Sequence, residues 1–162
     1  MSDNVYLGNP NLKKANTAIE FTQEQILEFV KCKEDPVYFA NNYIKIVSLD
    51  EGLTQFHPYH FQEKLINNFH GNRFNICKMP RQTGKSTTVV SYLLHYAVFN
   101  DSVNIGILAN KAATARELLG RLQTAYENLP KWMQQGIVAW NKGSLELENG
   151  SKILAASTSA SA

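Results

Sequence analysis

The segment Lys78–Thr87 constrains the fold of this chain more than any other part of its sequence. Within it, Gly84, Lys85 and Ser86 match the end of the phosphate-binding pattern G-x-x-x-x-G-K-[ST]. In that pattern, backbone N–H groups at a helix N-terminus cradle phosphates, the lysine reaches the β and γ oxygens, and the hydroxyl binds Mg²⁺. The pattern therefore predicts a strand, a tight loop and a helix in this region.

The flanking sequence supports this interpretation. Arg73–Met79 has the composition of a short strand, and apolar residues recur at helical spacing from Ser86 to Phe99. Met79 replaces the first glycine of the pattern, and a chance Gly-Lys-Ser in a surface loop is the alternative. The flanking elements favour the phosphate site. We therefore predict an α/β domain with a parallel sheet core.

Two polar residues near this segment have more than one interpretation. Arg81 is either a solvated loop cation or, beside a γ-phosphate, a guanidinium that stabilises transition-state charge. Gln62 follows Pro58, where a helix is predicted to begin, and its amide could read the edge of adenine. A lone glutamine on a helix is more often plain surface. If it does bind adenine, Gln62 should face the same pocket as Lys85 from about a nucleotide's length away.

Composition limits the class of protein. The chain has 162 residues, of which 44% are hydrophobic, which is enough for one domain with a core. Its net charge of +2 is too small to predict nucleic-acid binding. Cys32 and Cys77 do not form a disulfide framework, so reduced thiols are expected. The sequence shows neither a signal peptide nor a membrane span, which predicts a soluble intracellular protein.

The chain divides into three predicted regions. Residues 1–20 are polar and are predicted to be a flexible arm. Residues 21–57 are predicted to be a helical subregion, with a capping box at Thr22 and Gln25 and a second helix beginning at Asp35-Pro36. Residues 58–162 are assigned to the phosphate-binding domain.

The last 60 residues predict a strand at Val103–Ala109, a helix at Lys111–Leu129 and a β-hairpin near the end. A three-residue hairpin loop at 148–150, with Gly150 left-handed, places Leu145 opposite Ile153 and Glu146 opposite Lys152. This register pairs apolar residues on one face and opposite charges on the other. Two arginines on the outer side of the helix could contact DNA, but a solvated Glu117–Arg121 pair is favoured over that role.

Four longer motifs together resemble the large terminase subunit of tailed bacteriophages, most closely the T-even-like kind. The similarity runs from about Glu34 to the end of the chain. The motifs are Phe56-x-x-Tyr59-x-Phe61-Gln62, Pro80-Arg81-Gln82-Thr83-Gly84-Lys85-Ser86, Ile105-Gly-Ile-Leu-Ala-Asn110 and the stretch from Gly136 to Ser151 with Trp140-Asn-Lys-Gly-Ser. The resemblance implies a P-loop NTPase fold of the RecA or helicase-like type, with ATP and Mg²⁺ as cofactors.

The resemblance also implies a role for each loop residue. Lys85 corresponds to the catalytic, phosphate-binding lysine and Ser86 to the magnesium ligand. Arg81 corresponds to a catalytic arginine finger supplied in cis, and Gln62 to the glutamine that recognises adenine. The remaining residues of the implied ATP-binding segment are Gln82, Thr83, Gly84 and Thr87.

Large terminase subunits are ATP-driven motors that pump double-stranded DNA into a procapsid, and they carry a second, metal-dependent nuclease domain. The resemblance implies a ring on the portal, with the portal protein and the small terminase subunit as partners, in the host cytoplasm. No membrane role is implied.

The chain also departs from this family. Such motors need a Walker B strand, an apolar run that ends in Asp-Glu, and none follows Ala156. We therefore expect a fold truncated before the Walker B strand, an N-terminal fragment that is inactive by itself. The alternatives are a fragment of a superfamily 2 helicase-like ATPase and a non-catalytic nucleotide-binding fragment.

Overall fold

A computed structural model describes residues 4–48 and 50–158. Within these residues helices and strands follow one another along the chain in short groups. The helices are α1 (Gln23–Glu34), α2 (Pro36–Tyr43), α3 (His60–Gly71), α4 (Lys85–Phe99) and α5 (Ala112–Glu127). The strands are β1 (Lys45–Ser48), β2 (Gly52–Gln55), β3 (Asn104–Ala109), β4 (Ile137–Trp140), β5 (Ser144–Leu147) and β6 (Lys152–Ser157).

The larger sheet has the order β3-β6-β5-β4. Strands β3 and β6 run parallel, whereas β5 pairs antiparallel with both β6 and β4. The expected parallel sheet core is therefore a mixed sheet in the described residues, because the last three strands follow one another along the chain as antiparallel neighbours. Helix α5 packs against β3, β6 and α4, which makes this an α/β fold.

The strand predicted at Arg73–Met79 is wrong for the described structure. The segment is irregular and pairs with no described strand, and Ile76 is fully exposed at 100%. A cleft lined by Arg73 and Asn75 on one side and by Asn104 and Ile105 on the other separates the segment from β3. Because a strand is defined by ladder hydrogen bonds, an apolar extended sequence without a neighbour remains a coil.

The predicted hairpin is confirmed in its register. Leu145 lies opposite Ile153 and Glu146 opposite Lys152, and Gly150 has a φ of +80°. The Lys152 ammonium lies 3.0 Å from the Glu146 carboxylate on the outer face. Because Leu145 and Ile153 are fully buried, a one-residue slip would expose them.

The N-terminal region is only partly as predicted. Thr22 and Gln25 form the capping box of α1, and Asp35 accepts hydrogen bonds from the first amides of α2. The antiparallel pair β1–β2 was not predicted, because the sequence favoured helices throughout residues 21–57. Helix α3 begins at His60 instead of Pro58.

Residues 4–16 do not form the flexible arm that was predicted for positions 1–20. Leu12 is buried, and the backbone N–H of Ile137 donates to the carbonyl of Lys13. Gln134 fixes the same segment, because its side chain accepts from the N–H of Lys13 and donates to the carbonyl of Asn11. The segment is therefore held through its backbone groups, which its polar composition does not reveal.

An ion pair holds this segment against the hairpin. The Lys13 ammonium lies 3.0 Å from the carboxylate of Glu148, which also accepts from the N–H groups of Gly136 and Asn16. Burial raises the pKa of the Glu148 carboxyl, but these N–H donors and the Lys13 charge outweigh burial and lower it below its ordinary value.

The core surrounds α4, which contributes the buried residues Val90, Leu94, Ala97, Val98 and Phe99. His95 is also buried there, with its Nε2 2.9 Å from the carbonyl oxygen of Cys32. Burial lowers the pKa of His95 to about 4, so its imidazole is neutral near pH 7. Both cysteines are free thiols, and within the described chain no helix is long and apolar enough to cross a membrane.

Candidate functional site

The N-terminus of α4 has no side-chain cap among the described residues. Its N-cap residue is Gly84, which has a φ of +72°, and no side chain in the described part of the chain accepts from the first amides of the helix. By contrast, α1 and α2 are capped by Thr22 and Asp35. Unpaired N–H groups and the helix dipole together favour an anion at such a terminus.

The loop before α4 folds around the ammonium group of Lys85. Its Nζ donates to the carbonyl oxygen of Met79 at 2.8 Å and to that of Pro80 at 2.5 Å. The Thr83 hydroxyl donates to the same Pro80 carbonyl at 3.0 Å. The positive charge of Lys85 is therefore held inside the 79–85 loop, beside the uncapped N-terminus of α4.

The backbone conformation at position 79 does not require glycine. Met79 has a negative φ, which any residue can adopt, whereas Gln82 has a φ of +62°. A non-glycine residue in that left-handed region is uncommon, and such strain often accompanies functional loops. The tight bend therefore lies at Gln82 and Gly84, later than the first glycine of the usual pattern.

The other residues predicted for the site lie at the surface of this loop. Arg81 is exposed, and its guanidinium makes no hydrogen bond or ion pair with the residues that the structure describes. Ser86 is exposed in the first turn of α4, and Thr87 is half-buried one residue later. The structure thus places Arg81 through Thr87 at the N-terminal end of α4, and the predicted start of a helix at Lys85 is confirmed.

A cleft of about 480 Å³ lies beside the loop, between the start of α3 and strand β1. Tyr59 and Phe61 lie at its edge with their rings stacked, 5.9 Å apart and 11° from parallel. The loop side consists of Gln82, Thr83 and Gly84, with Thr87 of α4. Ile46 of β1 also lines the cleft and was missed by the sequence analysis. The β-branched pair Ile46-Val47 was the available signal for that strand.

Gln62 lies against the loop itself. Its side chain is only 3% exposed, and its Nε2 lies 3.4 Å from the carbonyl oxygen of Thr83. Its Oε1 accepts from the backbone N–H of Tyr59 at 2.8 Å. The sequence predicted a nucleotide's length between Gln62 and Lys85, but the Gln62 amide touches the residue two positions before Lys85.

Metal-binding groups are sparse. The described residues contain no cluster of three or more His, Cys, Asp or Glu side chains that could hold a metal ion by themselves. Away from the loop, the Arg121 guanidinium donates to the Glu117 carboxylate at 2.7 Å, which confirms the predicted surface pair on α5.

Two comparisons with known proteins agree with this geometry. Residues 76–162 match the family model described as "Terminase large subunit, T4likevirus-type, N-terminal". The fold is similar to the crystal structure of the HK97 bacteriophage large terminase, with a TM-score of 0.63 and 19% sequence identity over 80% of this chain. The chain covers 28% of the length of that protein. The family match includes the 79–85 loop, α4 and the whole larger sheet, and this chain therefore belongs to the T4-like-virus type of large terminase subunits.

Proposed function

We propose that this chain is the ATP-binding part of a terminase large subunit, in which ATP hydrolysis drives the packaging of double-stranded DNA into a procapsid. The observation that carries the proposal is the position of Lys85 at the uncapped N-terminus of α4, inside a match to the terminase family. In this proposal the 79–85 loop binds the triphosphate and the cleft beside Tyr59 and Phe61 binds the base.

The chemistry of the loop suits a triphosphate. The first amides of α4 are available as donors, and Lys85 has a third N–H beyond the two that its own loop carbonyls accept. Phosphate oxygens, which carry full charge, compete well with neutral carbonyls for an ammonium group. Arg81 is free to reach a γ-phosphate, where it would stabilise charge that develops during transfer.

Mg²⁺ fits this site as a partner of the nucleotide. The Ser86 hydroxyl is the ligand that the loop offers, and the described residues add no acidic cluster beside it. Mg²⁺ commonly keeps several waters and binds through substrate phosphates with one or two protein oxygens. Magnesium would thus neutralise phosphate charge, while Lys85 and the amides of α4 hold the phosphates in place.

The remaining activities belong to the whole protein. We place it in a ring at the procapsid portal in the host cytoplasm, with double-stranded DNA, the portal protein and the small terminase subunit as partners. The nuclease activity would come from a further domain. Family membership supports these assignments.

The test uses the full-length protein that contains this chain. Calorimetry with Mg²⁺·ATP, phosphate release with and without double-stranded DNA, and DNase protection of DNA in procapsids measure the three steps. Lys85→Ala should abolish all three. Lys142→Ala removes an exposed lysine in the turn between β4 and β5 and is the matched control.

Loss of all three activities in Lys85→Ala, with the control unchanged, would support the proposal. Unchanged ATP binding in Lys85→Ala would contradict the assignment of the loop. ATP binding without hydrolysis in the wild type would favour the non-catalytic alternative.

A further inference from the structure

We propose that Gln55 is a specificity-determining residue of the nucleotide site, and that its side-chain oxygen accepts a hydrogen bond from the 6-amino group of adenine. The inference rests on the proposed function, in which the cleft beside Tyr59 and Phe61 binds the base. It names a group that would make this cleft prefer adenine to guanine. It follows from how the Gln55 amide is held at the end of β2.

The nitrogen end of this amide is fully used inside the protein. Gln55 Nε2 donates to the carbonyl oxygen of Asn41 at 3.0 Å and to that of Ile44 at 2.9 Å. These two bonds use both hydrogens of the amide NH₂ group. The Ile44 carbonyl also accepts from the backbone N–H of Phe56 at 2.8 Å, so the end of β2 is tied to the end of α2.

The oxygen end is therefore fixed in direction and open to a ligand. The amide cannot be reversed, because its oxygen would then face two carbonyl oxygens. Gln55 Oε1 makes no hydrogen bond with the residues that the structure describes. It is also not one of the polar side-chain atoms that these residues bury without a partner. Solvent therefore reaches this oxygen.

The cleft of about 480 Å³ is the place from which solvent reaches it. Gln55 lines this cleft, whereas Asn41 and Ile44, which hold its nitrogen, do not. The nitrogen therefore points away from the cleft, and the oxygen is the end of the amide that faces it. Gly84 at the N-terminus of α4 lines the same cleft. One nucleotide can thus place its phosphates at α4 and its base beside Gln55.

An acceptor that cannot turn distinguishes bases by the group at C6. Adenine carries an amino donor at this position, whereas guanine carries a carbonyl acceptor. The Gln55 oxygen would gain a hydrogen bond from adenine and would face a second acceptor in guanine. A freely rotating glutamine would accommodate both bases by reversing its amide, but the bonds to Asn41 and Ile44 prevent this.

A purely structural role for Gln55 is the alternative, since its amide ties α2 to β2. The two roles predict different losses. Loss of a structural tie weakens every nucleotide by the same factor, whereas loss of the acceptor removes only the advantage that the 6-amino group gives. Two ligands that differ in that group alone separate the two roles.

The experiment compares Mg²⁺·ATP with Mg²⁺·purine riboside triphosphate, which carries hydrogen in place of the 6-amino group, by calorimetry on the full-length protein. Gln55→Met keeps the length of the side chain and removes both ends of the amide. The matched control is Gln135→Met, because the Gln135 amide donates to the carbonyl of Val98 near the C-terminal end of α4. The ratio of the two Kd values, compared between wild type and variant, isolates the contact between residue 55 and the amino group.

The wild type should bind ATP more tightly than purine riboside triphosphate by roughly threefold to tenfold, the effect of one hydrogen bond. Gln55→Met should reduce this ratio by a similar factor, and Gln135→Met should leave it unchanged. An undiminished ratio in Gln55→Met, even with weaker binding of both ligands, would overturn the inference. If Gln55→Met does not fold, Gln55→Asn has the same reading, because it keeps an amide but withdraws the oxygen by one methylene.

The wild-type protein separates this inference from the proposed function. If the wild type binds neither ligand, the proposed function itself fails. If the wild type binds both ligands equally tightly, the nucleotide site stands and the inference fails, because the 6-amino group would then have no acceptor in the cleft.

Discussion

The ammonium nitrogen of Lys85 lies 2.8 Å from the carbonyl oxygen of Met79, the residue that stands where phosphate-binding loops usually begin with glycine. A second bond to Pro80 closes the loop over the lysine. The lysine therefore has a structural role in the loop in addition to the one proposed for it with phosphate.

This arrangement predicts that Lys85→Met loosens the loop even without ligand. The methionine keeps the aliphatic length but donates no hydrogen bond, so the 79–83 backbone loses two anchors. Hydrogen exchange of the amides of Gln82, Thr83 and Gly84 should become several times faster. Lys142→Met, on the surface far along the chain, should leave them unchanged. Equal exchange in the two variants would show that the lysine does not hold the loop.

Arg81 should affect turnover more than binding. Its guanidinium has no partner among the described residues, so its removal costs little in the ground state, whereas an arginine finger acts when charge develops. In the full-length protein Arg81→Ala should lower kcat by roughly 10³-fold or more and change the Kd for ATP by less than about threefold. Stopped-flow binding with single-turnover hydrolysis measures both. Equal losses would make Arg81 an ordinary phosphate ligand.

The 162 residues by themselves should bind nucleotide but not turn it over. No Asp or Glu lines the two clefts that adjoin Gly84 and Lys85 in the described structure, and activation of water needs such a carboxylate. Steady-state phosphate release by this chain should equal that of its Lys85→Ala variant. Robust release that disappears with Lys85→Ala would place a catalytic carboxylate within these residues.

The Lys13–Glu148 pair should contribute more to stability than the Glu146–Lys152 pair at the same distance of 3.0 Å. The side chains of the first pair are 10% and 23% exposed, against 50% and 33% for Lys152 and Glu146. Lys13→Met should cost about 2 kcal/mol of unfolding free energy, because Glu148 keeps its charge in a partly buried place. Lys152→Met should cost less than about 1 kcal/mol. Urea unfolding followed by tryptophan fluorescence measures both, and equal costs would contradict the prediction.

Stability should fall between pH 7 and pH 5 because of His95. The ordinary pKa of 6.5 applies to the unfolded chain, and burial lowers it to about 4 in the folded one, so the unfolded state takes up the proton first. The contribution of neutral His95 to folding stability is therefore full above pH 6.5 and declines as pH falls toward 4. The loss at pH 5 is about 2 kcal/mol from these two values. His95→Gln should show a flatter profile over this range, in which carboxylates titrate little. A profile as steep as that of the wild type would contradict the assignment.

The sequence by itself determined the features that depend on neighbours along the chain. Helix starts are features of this kind, because each depends on residues a few positions apart. The three examples are Thr22 with Gln25, Asp35 before Pro36, and Gly84 before Lys85. The register of the β5–β6 hairpin followed for the same reason, since Gly150 and the alternation of Leu145 with Glu146 leave one arrangement that buries the leucine.

Only the tertiary structure decided the features that depend on distant partners. Whether residues 73–79 form a strand depends on a neighbour, and whether residues 4–16 are ordered depends on Gln134 and Glu148, more than 100 positions away. Local polarity predicted an arm there because sequence cannot show that a polar segment has buried partners. Gln62 was predicted to face the pocket of Lys85 from the opposite side, whereas its contact with Gly84 arises from how α3 packs beside α4, which no local pattern encodes.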